Sequence, residues 1–440
     1  MKTKILLAFA TLTSLNAQNL KLSVEEVLST NPVVLERLQN YKSTQKDITT
    51  AKSGYYPKLD LNLGLGIEDT KKSNQARNAP DTTDYYHVYQ NSLKYTHNLF
   101  DGMGTTYKVK GQEYRTVSAA YSYIEKVNDR SFALVNAYLQ VMKNNALLET
   151  AQENVDIDQE IFGKVQKLYD AGLTTLSEVN KIESSLALAK SNLVVQENTI
   201  LNTSYQLENV LGRTLNPKEM SKPELDVTLP KTREDALKFA IKNNPSILVS
   251  DYNIKLANAT KREKESVYYP KIDIEVSESM NKNLSAIEGN NDKFRAMAYL
   301  SYNFFNGFAD KASVEKSLTN IQQEKETKNN LKRKVIQGLN LAWAANKKIQ
   351  EQLKYLKEYK KYSLKTLTLY NKEYELGRRS LLDLLSTQND FIRSKSQIIT
   401  AEYDLLFAKY RILDAMGTLV DTVLGDKNIA YNNVDLTHKN

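Results

Sequence analysis

The stretch Tyr374-Glu-Leu-Gly-Arg-Arg-Ser-Leu-Leu-Asp-Leu-Leu385 has the pattern of a tight turn between two helices. Gly377 suits the left-handed residue that commonly ends a helix. Ser380 stands three residues before Asp383, which is the spacing of a capping box at the start of the next helix, in its aspartate variant. The stretch therefore predicts where one helix stops and another begins.

A weaker copy of this stretch, Tyr169-Asp-Ala-Gly-Leu-Thr-Thr-Leu-Ser-Glu-Val179, lies 205 residues earlier. Gly172 takes the place of the turn glycine, and Thr175 stands three residues before Glu178. Because the same signals recur in the same order, we expect a second helical turn here.

Further short motifs also occur twice, so the sequence indicates a tandem duplication. The pairs are Asn31-Pro32 and Asn244-Pro245; Tyr55-Tyr-Pro-Lys58 and Tyr268-Tyr-Pro-Lys271; Asn98-Leu-Phe-Asp-Gly102 and Asn303-Phe-Phe-Asn-Gly307; Leu211-Gly212 and Met416-Gly417. We expect a signal peptide at 1–17, a first repeat at 18–221, a second repeat at 222–420 and a polar C-terminal tail at 421–440. Each repeat should hold a helix, two strands and a long helical hairpin.

The composition excludes several classes of site. The chain has 440 residues, no Cys and only three scattered His, so disulfides and thiolate metal centres are excluded and a His cluster is not expected. The formal net charge of +8 comes from interleaved acidic and basic residues, which favours solvated helix faces over a nucleic-acid groove. Leu63-Gly-Leu-Gly66 lies in a strand pattern, and no nucleophile–His–acid set stands out. We therefore predict no enzyme, no cofactor, no metal and no nucleic-acid partner.

The first seventeen residues predict export. Lys2 and Lys4 precede an apolar run from Ile5 to Ala10, and small residues lead to Ala17. No later stretch has about 18 consecutive apolar residues, which a membrane-spanning helix would need. These features favour a bacterial envelope location without an inner-membrane helix.

Each repeat is expected to begin with a capped helix. Ser23 and Glu26 have the spacing of a capping box, and Thr232 and Asp235 have that of its aspartate variant. The Asn-Pro motif then restarts a helix with Pro at its first position. The Tyr-Tyr-Pro motif ends that helix, because a residue before Pro avoids the helical region.

Apolar and polar residues alternate strictly after each Tyr-Tyr-Pro motif, at 59–67 and 272–277. Period two predicts strands with one apolar and one polar face. Aromatic-rich return strands should end at Phe100 and Phe305, with polar loops at 69–84 and 279–293. Such strands and loops are typical of transmembrane β-barrels, and a soluble hairpin packed on a helix is the alternative.

Very long helices are predicted before the two glycine turns. Residues 104–169 and 309–374 contain no Pro and little Gly, and about 65 residues at about 1.5 Å each make a rod near ~100 Å. Returning helices are expected at 175–211 and 380–416. The last has two adjacent seven-residue seams, which predict coiled-coil packing against two neighbours or a wide stripe on a simple hairpin. The seams are Leu385, Ile392, Ile399, Leu406, Leu413 and Leu384, Phe391, Ile398, Leu405, Ile412.

Together these features resemble the TolC-like outer-membrane efflux (outer-membrane factor) family. The resemblance runs to about residue 420 and is strongest at 374–385 and at Asp414-Ala-Met-Gly-Thr-Leu419. It implies an α+β membrane protein in which three copies form a 12-stranded β-barrel that continues as an α-helical coiled-coil tunnel. The homotrimer also has a physical reason, since four amphipathic strands cannot close alone and open edges cannot stand in lipid.

The resemblance implies the outer-membrane channel-tunnel of a tripartite efflux or type I secretion system. Such a protein is a passive duct in outer-membrane lipid that extends into the periplasm, and an inner-membrane transporter and a periplasmic adaptor recruit it. Drugs, metal ions or a polypeptide would pass through a similar duct. The alternative is a periplasmic coiled-coil scaffold or adaptor without a barrel, which has no need of alternating, aromatic-rich strands.

The resemblance also implies a periplasmic gate at the helix-hairpin tips. Ser177 and Glu178 match first-copy positions that bond to an Arg and a Tyr of the second copy. Those residues are Arg379 and Tyr374 here, so the implied pairs are Ser177–Arg379 and Glu178–Tyr374.

Asp383 matches a family position that forms an acidic ring at the constriction. The family's better-studied members carry a second Asp shortly after it, where this chain has Ser386. Helix capping is the structural alternative for Glu178 and Asp383. Gly172 and Gly377 are the expected hairpin-turn residues.

Overall fold

The computed structural model describes residues 19–72, 82–223, 229–284, 288–425 and 431–436. The expected signal peptide at 1–17 lies outside the described residues, as do parts of the predicted loops and tail. Among the described residues, no helix combines the length and the apolar character needed to cross a membrane.

The two halves of the chain have the same long elements in the same order. The first half contains α1 (Leu20–Thr30), α2 (Pro32–Lys52), β1 (Lys58–Lys72), β2 (Thr82–Phe100), α3 (Gly104–Asp170) and α4 (Leu176–Leu211). The second contains α5 (Arg233–Asn243), α6 (Pro245–Glu265), β3 (Lys271–Lys282), β4 (Asn290–Ser301), α7 (Ala309–Glu375) and α8 (Leu381–Met416), before the short α9 (Leu419–Leu424). α3 and α7 both have 67 residues, and α4 and α8 both have 36. The boundaries of the repeats themselves stay a prediction.

The capping prediction is confirmed for α5 and wrong for α1. The Thr232 hydroxyl accepts from the Asp235 N–H at 3.1 Å and donates to the Asp235 carboxylate at 2.6 Å. Ser23 lies inside α1, because Asn19 caps this helix by accepting the Leu22 N–H at 2.9 Å. A Ser and a Glu three residues apart within a helix imitate the capping-box spacing, so spacing alone misplaced the start.

The Asn-Pro motifs open α2 and α6, as predicted, with Pro at the first position. The Asn31 amide donates to the Val210 carbonyl at 2.9 Å, and the Asn244 amide donates to the Ala415 carbonyl at 3.0 Å. Both acceptors lie in the last turn of a returning helix, which leaves its carbonyls without helical partners. Each Asn therefore ties the start of one helix to the end of another.

The four strands form one antiparallel sheet in the order β1-β2-β3-β4. The pairing of β2 with β3 joins the two halves of the chain, with one irregularity between Asn98 and Phe100. β1 and β3 extend further than predicted, to Lys72 and Lys282. The prediction that the last return strand ends at Phe305 is wrong, because a side-chain turn follows Ser301: Asn303 Oδ1 accepts the Phe305 N–H at 3.0 Å.

One face of the sheet is apolar and uncovered. The five apolar side chains of β1 are 65 to 77% exposed: Leu59, Leu61, Leu63, Leu65 and Ile67. β1 and β4 are the edge strands, and β4 is exposed along its whole length. A soluble hairpin packed on a helix would bury this face, so the exposure contradicts that alternative.

Two compact units divide the chain, and each draws on both halves. The first contains residues 123–245 and 332–433, where the helical hairpins pack. Val155 of α3 packs with Leu186 of α4, and Leu353 of α7 packs with Ile398 of α8. The Gln388 amide of α8 also donates to Asp158 of α3 at 2.6 Å. α8 thus packs against both α3 and α7, and contact with more than one neighbouring helix is what its two adjacent seams predicted.

The second unit contains residues 39–122 and 246–331, and includes the sheet. The Thr116 hydroxyl of α3 donates to the Thr44 carbonyl of α2 at 3.0 Å. The Ser118 hydroxyl donates to Asn253 of α6 at 2.6 Å. α3 therefore contacts both of the helices that the Asn-Pro motifs begin.

Candidate functional site at the hairpin tips

Both helical hairpins turn at a left-handed glycine. Gly172 has φ 74° and Gly377 has φ 66°, a region in which a Cβ is strained. In the second turn, the Gly377 N–H donates to the Tyr374 carbonyl at 2.9 Å and the Arg378 N–H donates to the Glu373 carbonyl at 2.8 Å. This pair of bonds is the Schellman motif, which satisfies the last carbonyls of a helix.

The first turn has the same two bonds. The Gly172 N–H donates to the Tyr169 carbonyl and the Leu173 N–H donates to the Leu168 carbonyl, both at 2.8 Å. The two tips are therefore copies of each other in backbone structure, and they differ in their side chains.

The returning helices start differently at the two tips. The Ser380 hydroxyl accepts the Asp383 N–H at 3.2 Å and donates to the Asp383 carboxylate at 2.8 Å. Thr175 makes no side-chain cap on α4, so the expected capping box there is wrong. The Thr174 hydroxyl, one residue earlier, donates to the Glu178 carboxylate in its place.

Arg379 is held by its own hairpin. Its guanidinium lies 2.8 Å from the Glu373 carboxylate and 4.0 Å from that of Asp383, and stacks 4.1 Å from the centre of the Tyr370 ring. The hydrogen bond to Glu373 raises the pKa of Arg379 above its usual value. Sequence reasoning missed Glu373 and Tyr370; their positions within two turns of the glycine were the available signal.

Tyr374 is packed against an apolar cluster beneath the tips. Ile161, Val179 and Leu381 belong to its buried part. The Tyr374 hydroxyl is buried and has no hydrogen-bond partner among the described residues. Burial raises the pKa of Tyr374, and the negative charge of Glu178 raises it further.

Of the two predicted gate pairs, the structure brings Glu178 and Tyr374 near each other without joining them by a hydrogen bond. Arg379 takes partners from its own turn, and Ser177 is not one of the partners described for it. The Asp383 carboxylate accepts a hydrogen bond from Ser380, the residue that caps α8. Exposed leucines surround both turns, namely Leu173, Leu176, Leu376 and Leu382.

A cleft of about 520 Å³ lies among α3, α4, α7 and α8. Its lining mixes apolar side chains with amides and hydroxyls, among them Asn154, Gln196, Gln352 and Thr400. Among the residues that the structure describes, no cluster of three or more His, Cys, Asp or Glu could hold a metal ion.

Long helical hairpins joined to a sheet with an open apolar face define the class of protein: a subunit of an outer-membrane channel. The chain belongs to the outer membrane efflux protein family, whose model matches residues 23–213 and 236–418. One matched segment lies in each half of the chain.

Individual relatives agree with this membership. The outer membrane efflux protein BepC of Brucella suis is 21% identical over 86% of this chain and 81% of its own length. The outer membrane protein TolC of Escherichia coli is 21% identical over 95% and 85%. The crystal structure of the CmeC outer membrane channel of Campylobacter jejuni shares the fold, with a TM-score of 0.79 at 13% identity over 95% of this chain and 90% of that one.

The protein is therefore an outer-membrane efflux or secretion channel that extends into the periplasm, and the family membership disfavours the scaffold without a barrel. The family is one of passive channels, which agrees with the absence of a catalytic set in the sequence.

Proposed function

We propose that three copies of this chain close into one channel, which acts as the passive duct of a tripartite efflux or type I secretion system. The observation that carries the proposal is the open sheet, whose apolar β1 side chains are exposed and whose edges, β1 and β4, have no partner strand within the described residues. Lipid offers no hydrogen bonds to a strand edge, so such a sheet is stable there only when other copies close it. Four strands from each of three copies make a 12-stranded barrel.

The two faces of β1 suit the two sides of a barrel wall. Apolar residues of 59–67 would face lipid, and Asp60, Asn62 and Glu68 on the other face would line the channel. An inner-membrane transporter supplies the energy for transport in this proposal, and a periplasmic adaptor recruits the duct.

The oligomer is tested on the full chain expressed with its own leader. We expect it in the outer-membrane fraction, migrating as three subunits before heating and as one after heating. A monomer found only in the periplasmic fraction would overturn the proposal and restore the scaffold alternative.

The hairpin tips are the periplasmic gate in this proposal. The buried hydroxyl of Tyr374 lies close to Glu178 and lacks an acceptor, which costs about 1–3 kcal/mol. A small movement of the tips would give it the Glu178 carboxylate. Arg379 is available to Ser177 once it leaves Glu373, because this ion pair is partly open to solvent, which weakens it.

Planar-bilayer conductance tests the gate. The double variant Tyr374→Phe, Arg379→Ser should conduct several-fold more than the wild type, because both proposed locks are lost. Arg378→Ser is the matched control, since Arg378 is the neighbouring exposed arginine. Equal conductance in the double variant and the wild type would count against the lock.

Ion selectivity tests the acidic ring separately. Asp383→Ala should lose cation preference, because three carboxylates would leave the constriction together. Ser380→Ala is the control, since it breaks the same cap and keeps the charge. An Asp383→Ala channel with unaltered selectivity would leave Asp383 with the capping role alone.

A further inference from the structure

We propose that α4 of one copy packs against α7 of the next copy in the register that α8 and α3 already adopt within one chain, with Lys190 and Glu358 as the ion pair across the contact. The inference rests on the proposed ring of copies and adds to it the surface and the register by which neighbours recognise each other.

The contact inside one chain supplies the template. α8 runs antiparallel to α3, and three polar pairs mark the register: Gln388 with Asp158 at 2.6 Å, Lys395 with Glu153, and Lys143 with Asp404 at 3.6 Å. From one pair to the next, the α8 residue lies at least one helical turn further along the chain, and its partner on α3 lies at least one turn further back. The three pairs therefore describe one continuous antiparallel contact.

The duplication provides a second set of the same two surfaces. α7 is the copy of α3 and α4 is the copy of α8, each at a separation of 205 residues with equal lengths. Glu358 stands where α3 has Glu153, and Lys190 stands where α8 has Lys395. The charge pair is thus repeated with the same signs on the corresponding helices, α4 and α7, yet Lys190 and Glu358 are exposed and form no ion pair among the described residues.

The apolar side chains of these surfaces are also uncovered in a single copy. Tyr205 of α4 is 63% exposed, whereas its counterpart on α8, Tyr410, is 2% exposed. Tyr355 of α7 is 66% exposed, whereas its counterpart on α3, Thr150, is 2% exposed. The positions that are buried on α8 and α3 therefore correspond to exposed tyrosines on α4 and α7.

The exposed residues follow helical spacing on both surfaces. On α7 they are Tyr355, Tyr359 and Tyr362; on α4 they are Ala187, Leu188, Val194, Val195 and Leu201. Residues seven apart on α4 form a seam of the coiled-coil kind, which needs a partner helix. The chain itself carries Glu358 at the α7 position that matches Glu153 of α3, so the occupant is a second copy of this chain.

The contact is heterologous, because α4 and α7 are different surfaces of one subunit. Heterologous contacts close into a ring when the rotation between neighbours divides a full turn. Every subunit then offers α4 to one neighbour and α7 to the other, and no copy of either surface stays open.

Crosslinking tests the register, and the absence of Cys makes the full chain a clean background. The double variant Lys190→Cys, Glu358→Cys, assembled in the outer membrane, is treated with a short bifunctional thiol reagent. We expect covalent products of two and three subunits and none larger, because the ring closes.

Two matched variants control this experiment. Lys190→Cys with Glu351→Cys moves the α7 position by seven residues, about 10 Å along the same face, and should give several-fold less product. Glu153→Cys with Lys395→Cys should react within one chain and give no product above one subunit. Equal crosslinking in the first control, or a link to a foreign adaptor in place of a second copy, would overturn the proposed contact.

Charge reversal provides an independent measurement. Lys190→Glu and Glu358→Lys should each lower the temperature at which the oligomer dissociates, because like charges then face each other at every contact. The double reversal should restore that temperature, and failure to restore it would contradict the ion pair. If the wild type forms a conducting oligomer but only the off-register cysteine pair crosslinks, this register alone is refuted, whereas absence of any wild-type oligomer refutes the proposed function.

Discussion

Asp414, in the last turn of α8, is a buried carboxylic acid whose ionisation the fold strongly disfavours. Burial raises its pKa to about 7; the negative charge of Asp129 adds to the rise, and Arg411 opposes it. The helix C-terminus is also unfavourable for a negative charge. The folded protein thus keeps a proton on Asp414 in acid solution at pH values where the unfolded chain has lost it.

The pH dependence of stability follows from this difference. Between about pH 4 and pH 7 the folded state binds more protons at Asp414 than the unfolded state, so the free energy of unfolding falls as pH rises and levels off above 7. Asp414→Asn should remove this slope and stabilise the protein at pH 8, by at most about 4 kcal/mol. Denaturant unfolding at pH 5 and pH 8 measures the effect, and an unchanged slope in the variant would contradict the assignment.

At the scale of the element, the two returning helices offer a matched test of capping. Ser380 accepts the Asp383 N–H, whereas Thr175 makes no side-chain cap. Ser380→Ala should therefore cost about 1 kcal/mol of stability, and Thr175→Ala should cost much less. Thermal unfolding of the two variants decides this, and equal losses would show that the caps are not the cause.

The elements were predicted from the sequence far better than their caps. The helices predicted at 104–169 and 309–374 are Gly104–Asp170 and Ala309–Glu375. Their length depends on an uninterrupted run without Pro, which is visible locally. Caps depend on which nearby polar side chain reaches a free backbone N–H. Asn19 caps α1 in place of the predicted Ser23, and Thr175 begins α4 without a side-chain cap.

At the scale of the whole molecule, the open apolar face of the sheet yields a prediction about membrane assembly. Leu63 is 72% exposed on the apolar face, and Asn62 lies on the polar face. Leu63→Arg should cost about 2–4 kcal/mol at mid-membrane depth and reduce the outer-membrane oligomer. Asn62→Arg should assemble normally and alter conductance.

Fractionation and single-channel recording compare these two variants. The same residue is introduced at adjacent positions, so a difference between them reports the direction of the side chain. Equal assembly of both variants would contradict the assignment of the apolar face to lipid.

Periodicity and the repeat at 205 residues determined the order of elements, the lengths of the long helices and the left-handed glycine turns, because these depend on residues close in sequence. The tertiary structure alone decided which side chains meet at and near the tips: Arg379 binds Glu373, Tyr374 packs against the buried cluster that contains Ile161, and Gln388 meets Asp158. Two of these partners come from a helix more than 200 residues away in the chain. Which atoms pair depends on how the helices pack and on the rotamers their neighbours allow, and a single sequence does not display either.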